Sequence, residues 1–213
     1  MKANPILTYN RKKIQSGVAM IELLLAVFVI LIGLLGMSAL QVKVANANVE
    51  SYQRAQALVL LEGMVERFNA NRKLQTCLSI SGSTTGIPYL GQPAVASDPN
   101  LLDVSGGTYS CTATGTASDA SAKVELASWD SALKGSSETI AGSSVGGFLG
   151  ARGCISSAAA TDTSGMTVFT LAVAWQGSEP GVAASNSCAV GTYGADDTLR
   201  RVVWTTMRVA DLN

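Results

Sequence analysis

The sequence predicts an α+β protein in which one long N-terminal helix packs on an antiparallel β-sheet with disulfide-held loops. Three observations carry this. No proline interrupts residues 18–73, and apolar residues recur there at helical spacing. Two stretches near the C-terminus, Met166–Gly177 and Leu199–Val209, are apolar and β-branched or alternate in the manner of strands. Four cysteines, Cys77, Cys111, Cys154 and Cys188, all lie beyond the most apolar segment. The 213 residues suffice for one medium domain plus an anchor.

The helix has two halves. Val18–Leu40 is 23 residues with one charge, Glu22, and spans about 34 Å as a helix, enough to cross a hydrocarbon core. Arg11, Lys12 and Lys13 precede it and Lys43 follows, so the larger positive charge stays cytoplasmic and the body is expected outside. The run is too long for an ordinary secretory signal and lacks a small-x-small cleavage site. Residues 41–73 read as an amphipathic continuation. Val42, Ala45, Val49 and Tyr52 recur at helical steps, as do Leu58, Leu61, Val65 and Phe68, and these are the residues expected to face the body. One helix of about 55 residues accounts for both halves.

Residues 74–213 read as an exported globular domain. Ser81–Pro88 and Gly91–Asn100 carry loop signals, and Gly107–Thr114 alternates like a strand around Cys111. A helix capped by Ser118 or Asp119 is expected to run through Lys134 and stop at Gly135, with Ala122, Leu126, Trp129 and Leu133 on its buried face. Gly135–Gly147 reads as a flexible connection. Met166–Gly177 and Leu199–Val209 are the best strand candidates, and residues 178–197 form a loop tethered by Cys188.

Four widely spaced cysteines beyond a membrane segment point to two disulfides in an oxidising compartment. Three pairings are possible. Cys77–Cys111 with Cys154–Cys188 is favoured because each pair encloses 33 residues and flanks candidate strands. With no histidine and no CxxC spacing, the sequence points to no metal site and no cofactor.

No catalytic constellation emerges either, so the chain is not expected to be an enzyme. Without histidine there is no Ser-His-Asp arrangement. Asp196-Asp197 reads as a solvated turn. The Gly-rich stretches at Gly142 and Gly146 lack the GK[ST] of a P-loop and read as loops. The formal net charge is zero, but the first 17 residues hold four basic residues and no acid, which leaves a net −4 on the remainder. A mildly acidic body argues against nucleic-acid binding by charge. Trp129, Trp175 and Trp204 are candidates for a sugar-binding or adhesive surface, core and sheet-face roles being the commoner use of tryptophan. Arg200 and Arg201 are candidates to touch an acidic partner, the commoner arrangement being one inward stem and one solvated head on an edge strand.

A basic leader ending in Gly17, followed by "VAMIELLLAVFVILIGLLG" with Glu22 fifth after the glycine, resembles the class III signal of type IV prepilins and pseudopilins. Further along, "IGLLGMSALQ", "YQRAQALVLLEGMVERFNANR", "ELASWDSAL", "RGCI" and "VAWQG" resemble the PilV-type minor pilins in the order that family has them. The resemblance implies the type IV pilin fold and a leader, residues 1–17, that a prepilin peptidase removes between Gly17 and Val18 before N-methylating Val18. It implies a structural subunit held in the inner membrane, body in the periplasm, that later joins the cell-surface pilus. There it would prime assembly with other minor pilins and the major pilin through the N-terminal helix, and present a tip complex with a tip adhesin. A contribution to adhesion or twitching motility is implied as well. Where major pilins often carry a proline near the end of the apolar half, this chain has Gly33, Gly36 and Ser38.

Two alternatives stand beside it. A minor pseudopilin of type II secretion shares the signal, though such proteins usually have a smaller body with fewer cysteines. A signal-anchored periplasmic binding domain would keep the anchor without polymerising. The glutamate bears on the choice. A lone carboxylate among lipid tails costs about 2–4 kcal/mol. A positive amine freed on Val18 by cleavage would stand one helical turn from it and could neutralise the Glu22 of a neighbouring subunit.

Overall fold

A computed structural model describes residues 18–80, 87–93, 98–104, 109, 116–136, 138–144, 146–159, 166–194 and 196–210. The chain divides into two compact units, Met1–Ala47 and Asn48–Asn213. Helix α1, Val18–Ala70, contributes to both. Within the first unit its side chains from Met20 onward are exposed on every side except at Asn46, which is half-buried.

Within the second unit α1 buries Ala57, Leu61, Met64 and Phe68, spaced by 4, 3 and 4 residues. This corrects the expected face. Leu61 and Phe68 turn inward and Val65 does so in part, but Val42, Ala45, Val49, Tyr52 and Leu58 stay exposed. Apolar residues occupy more than one side of this helix, so helical steps can be drawn through two stripes. The inward one is the stripe that also brings Glu50 to the body, where its carboxylate accepts a hydrogen bond from Arg201 Nε at 2.5 Å. The helix ends at Ala70, short of the expected residue 73. Asn71 leaves helical geometry, a 3-10 turn Arg72–Leu74 follows, and a short helix α2, Gln75–Leu78, buries Cys77 and Leu78.

Helix α3 spans Thr116–Leu133, so Ser118 and Asp119 lie inside its first turn rather than capping it. Asp119 instead pairs with Lys123 at 3.1 Å. Ala122, Leu126, Trp129 and Leu133 are buried on one face, as their spacing predicts. The chain turns at Gly135, whose φ of +69° and whose approach to Gly147 leave no room for a Cβ. The stretch read as a flexible connection contains a hairpin, β2 Thr139–Ile140 with β3 Ser143–Ser144. Ala141 and Gly142 both take positive φ at its tip, the geometry of a tight two-residue turn.

The main sheet has the order β1-β4-β5-β6 and is antiparallel throughout, from β1 Leu90–Gly91, β4 Arg152–Ala159, β5 Met166–Gln176 and β6 Arg200–Ala210. Thus β5 and β6 fall where expected, and β4 is an additional strand. The strand expected at Gly107–Thr114 lies, apart from Tyr109, outside the described residues. One face of the sheet sends Phe169, Leu171, Val173, Trp175 and Val203 into the core beneath α1 and α3. Phe68 meets Phe169 edge-on with centroids 4.8 Å apart. Burying side chains of this size contributes about 1.5–3 kcal/mol each. In β4 only glycine fits at position 153, since a Cβ there would stand 2.4 Å from the Trp129 ring. That approach lets Trp129 and Leu133 of α3 pack directly on β4. The other face carries Cys154, Ala172 and Ala174, roofed by Cys188, Ala189 and Tyr193 of the loop before β6.

Candidate functional site

The N-terminal half of α1 is built from Leu, Ile, Val, Met and Phe, which gives it no polar face. Leu24, Phe28, Leu31 and Leu35 are exposed, as are the residues between them. In water such a surface is unfavourable by tens of cal/mol per Å² of apolar area, so it calls for an apolar surrounding. It belongs to a helix long and apolar enough to cross a membrane, with none of its most apolar stretch buried in the protein. Glu22 is the fifth residue of α1, four after Val18, so the two share a helical face one turn apart. Gly17, on the other side of the expected scissile bond, lies outside the described residues. Glu22 lies just beyond the first turn of the helix.

The half of α1 beyond Ala47 is pinned to the body by polar contacts at its two ends. Glu50 pairs with Arg201, and Arg67 Nη1 donates to Glu125 Oε2 at 2.7 Å. Between them, Trp129 Nε1 donates to the Leu60 carbonyl at 3.0 Å. A cleft of about 760 Å³ opens between α1 and α3, lined by Tyr52, Val59, Leu60, Ala132 and Phe148 among others.

The loop of residues 178–199 is held by three devices. Cys154 of β4 is bonded to Cys188, one of the two bridges of the sequential pairing. Cys77 is disulfide-bonded as well, and Cys111 lies outside the described residues. Arg200, only 3% exposed, donates to the carbonyls of Ala184, Asn186 and Cys188 and to Asp197 Oδ2. Asp197 therefore is not the solvated turn residue the sequence suggested. It is buried, and accepts from Gly191 N–H at 2.9 and 3.0 Å as well as from Arg200. Asp196 is the solvated partner, its carboxyl held below the usual range by hydrogen bonds from Thr198. The Arg pair divides as one buried and one half-buried residue, both engaged within the chain.

Arg152 is a second buried cation. Its guanidinium lies over the rings of Tyr193 and Tyr89, 4.4 and 5.2 Å from their centroids, and donates to Thr192 Oγ1 at 3.1 Å. Tyr193 in turn donates to the Gly150 carbonyl at 2.6 Å, and burial pushes its hydroxyl well above the ordinary tyrosine range. Tyr109 donates to the Cys77 carbonyl; burial first and then the charge of Asp119 push its pKa up to about 12.

Of the three tryptophans, Trp129 and Trp175 are in the core, whereas Trp204 is 47% exposed on the outer sheet face. Among the described residues no group of three or more His, Cys, Asp or Glu is placed to hold a metal ion. The contact of Arg152 with Tyr193 was not legible in the sequence because it is made by the loop before β6 folding back over β4, whereas Arg200–Asp197 is a local pair three residues apart whose burial the sequence does not display. Comparison with protein-family models, with curated proteins and with solved structures gives no match.

Proposed function

We propose that this chain is a PilV-type minor pilin, a structural subunit rather than an enzyme. In this reading the leader 1–17 is removed after Gly17 by a prepilin peptidase and Val18 is N-methylated. The subunit then waits in the inner membrane with its body in the periplasm. It joins a type IV pilus with other minor pilins and the major pilin, helping to prime assembly and to present a tip complex with a tip adhesin. The observation that carries the reading is the bare apolar half of α1 with its single acid, Glu22, one turn after Val18. In a plain anchor this carboxylate costs about 2–4 kcal/mol when unpaired in lipid, unless it stays at the headgroup boundary. A packed helical bundle does gain, because Glu22 of one subunit can neutralise the new amine on Val18 of the next and so fix the axial register between them. The α+β body with its disulfide-held loop agrees with the pilin fold and with an oxidising compartment.

The mass of the mature N-terminus tests this. A chain beginning at N-methylated Val18 is expected, and an intact Met1 on protein from sheared pili or membranes overturns the reading. Glu22→Ala is expected to insert into the membrane as well as wild type and to be depleted from filaments. Equal incorporation of that variant would remove the charge-pairing role. A pseudopilus subunit remains the alternative, and co-purification with sheared surface pili rather than with a secretion complex separates the two.

A further inference from the structure

Sheet register gathers a second set of unused groups on the outer face of the body. Trp204 of β6 pairs with Ala172 of β5, which pairs with Cys154 of β4; in the next row Thr206 pairs with Thr170, and Thr170 with Ser156. Paired residues share a face, with Cβ atoms about 5 Å apart. Cys154, Ala172, Ser156 and Thr170 also form one side of a pocket of about 260 Å³, whose other side is Ser185, Asn186 and Ser187 of the disulfide-tethered loop. An exposed indole therefore stands one strand away from the floor of a pocket walled by hydroxyls.

Three features of this pocket specify a ligand. Its hydroxyls on Ser156, Thr170, Ser185 and Ser187 make no hydrogen bond to the chain among the described residues, so each offers a donor and acceptors to a guest. No charged side chain is among its lining residues, which disfavours a phosphate, carboxylate or ammonium ligand. Its volume suits one ring rather than an extended chain, and Trp204 beside it supplies a flat apolar surface for a second. The loop wall is also fixed in advance. Cys188 is bonded to Cys154, Asn186 Oδ1 accepts from Cys188 N–H at 2.8 Å, and the Asn186 carbonyl is held by Arg200. A preformed wall lowers the ordering cost of binding.

We propose that this face binds neutral pyranose sugars, one ring in the hydroxyl-lined pocket and the next stacked on Trp204. Such a sugar presents alternating hydroxyls to Ser156, Thr170 and the Ser185–Ser187 wall, and its apolar C–H face to the indole. The proposal does not depend on filament assembly, so its failure leaves the pilin reading untouched and the reverse holds too.

The test uses the full chain in an amine-oxide detergent, which carries no sugar headgroup, titrated with lactose and maltotriose. Because Trp129 and Trp175 are buried, a saturable change in tryptophan emission reports Trp204. Binding with a Kd of about 1 mM is expected, and calorimetry, which does not need the indole, reads the variants. Trp204→Ala is expected to weaken binding roughly tenfold or more, and Thr170→Val, which keeps shape and removes one hydroxyl, several-fold. Thermal unfolding of both variants should stay within a few degrees of wild type. Absence of saturable binding by either sugar up to about 100 mM overturns the proposal. So does undiminished affinity in Trp204→Ala, and so does a preference for sialyllactose over lactose, which would mean the face selects charge.

Discussion

Helix α1 meets two different surroundings. From Met20 to Leu40 its apolar side chains are exposed on all sides. From Ala57 to Phe68 one stripe is sealed against a sheet, and the other side, including Val59, Glu62 and Glu66, is open. Both halves carry aliphatic residues, and what distinguishes them is the number of polar groups and their distribution around the axis. The first half has one acid in the run Val18–Leu40. The second has Glu50, Gln53 and Arg67 turned toward the body, of which Glu50 and Arg67 are ion-paired. Its exposed side is mixed, with Tyr52, Leu58 and Val59 among Ser51, Arg54, Glu62 and Glu66.

The largest expected effect breaks the symmetry between the halves directly. Phe68→Ala removes a ring that is fully buried and stacked edge-on against Phe169, and should destabilise the body by about 3–5 kcal/mol in urea unfolding. Leu31→Ala, in the exposed half, should change that midpoint by no more than about 0.5 kcal/mol, since it vacates no packed site in the protein. Comparable losses from both would mean that the apolar half is part of the body's folding unit. The next effect belongs to the roof of the outer face. Replacing both Cys154 and Cys188 by Ala should cost about 2–4 kcal/mol and expose the loop to protease, because the bridge closes a span of 34 residues. A loop equally protected without the bridge would shift its hold to Arg200.

These two regions were not equally legible in the sequence. The apolar half of α1 announces itself, since no other element accommodates so long a run without a proline. Helix α3 was readable from Ala122, Leu126, Trp129 and Leu133, and β5 and β6 from their β-branched residues. Strand β4 was not. "RGCISSAA" has little intrinsic preference for a strand, and it becomes one because β5 lies beside it and because Gly153 lets Trp129 approach. The inward stripe of α1 was half-legible for a related reason. Leu58 stands a helical step of three before Leu61, closely enough to mislead, and only the partner sheet selects Ala57 and Met64. Glu22 sits at the opposite pole. Its position relative to Gly17 is written in the sequence.

Alkaline pH sharpens the contrast in a graded way. The Tyr109 hydroxyl titrates near 10.0 when solvated and at about 12 in the fold, and the buried Tyr193 shifts in the same direction. Between those pH values the unfolded chain releases protons that the folded chain keeps. Stability is therefore full below pH 10.0 and falls as pH rises toward 12. Tyr193→Phe should lessen the slope of stability against pH above 10.0, while leaving the slope between pH 6 and 9 unchanged, as about 1.4 kcal/mol accompanies each full unit of pKa difference in a wholly buried group. An unchanged alkaline slope in that variant would place the titration elsewhere.

The smallest effect concerns the upper pin between α1 and the sheet. The contact of Glu50 with Arg201 is half-buried, and Arg201 also donates to the carbonyls of Thr198 and Glu179. Glu50→Gln keeps the shape and removes the charge, so the expected loss is no more than about 1 kcal/mol, diminishing further in high salt. Arg201→Ala should cost more than Glu50→Gln, because it also strips the hydrogen bonds from the loop after β5. The ratio of the two losses is informative. Near-equal values would locate the strength of the pin in the ion pair. A larger loss for Arg201→Ala would mean that the sheet edge organises the loop first, and that the helix docks on a surface already made.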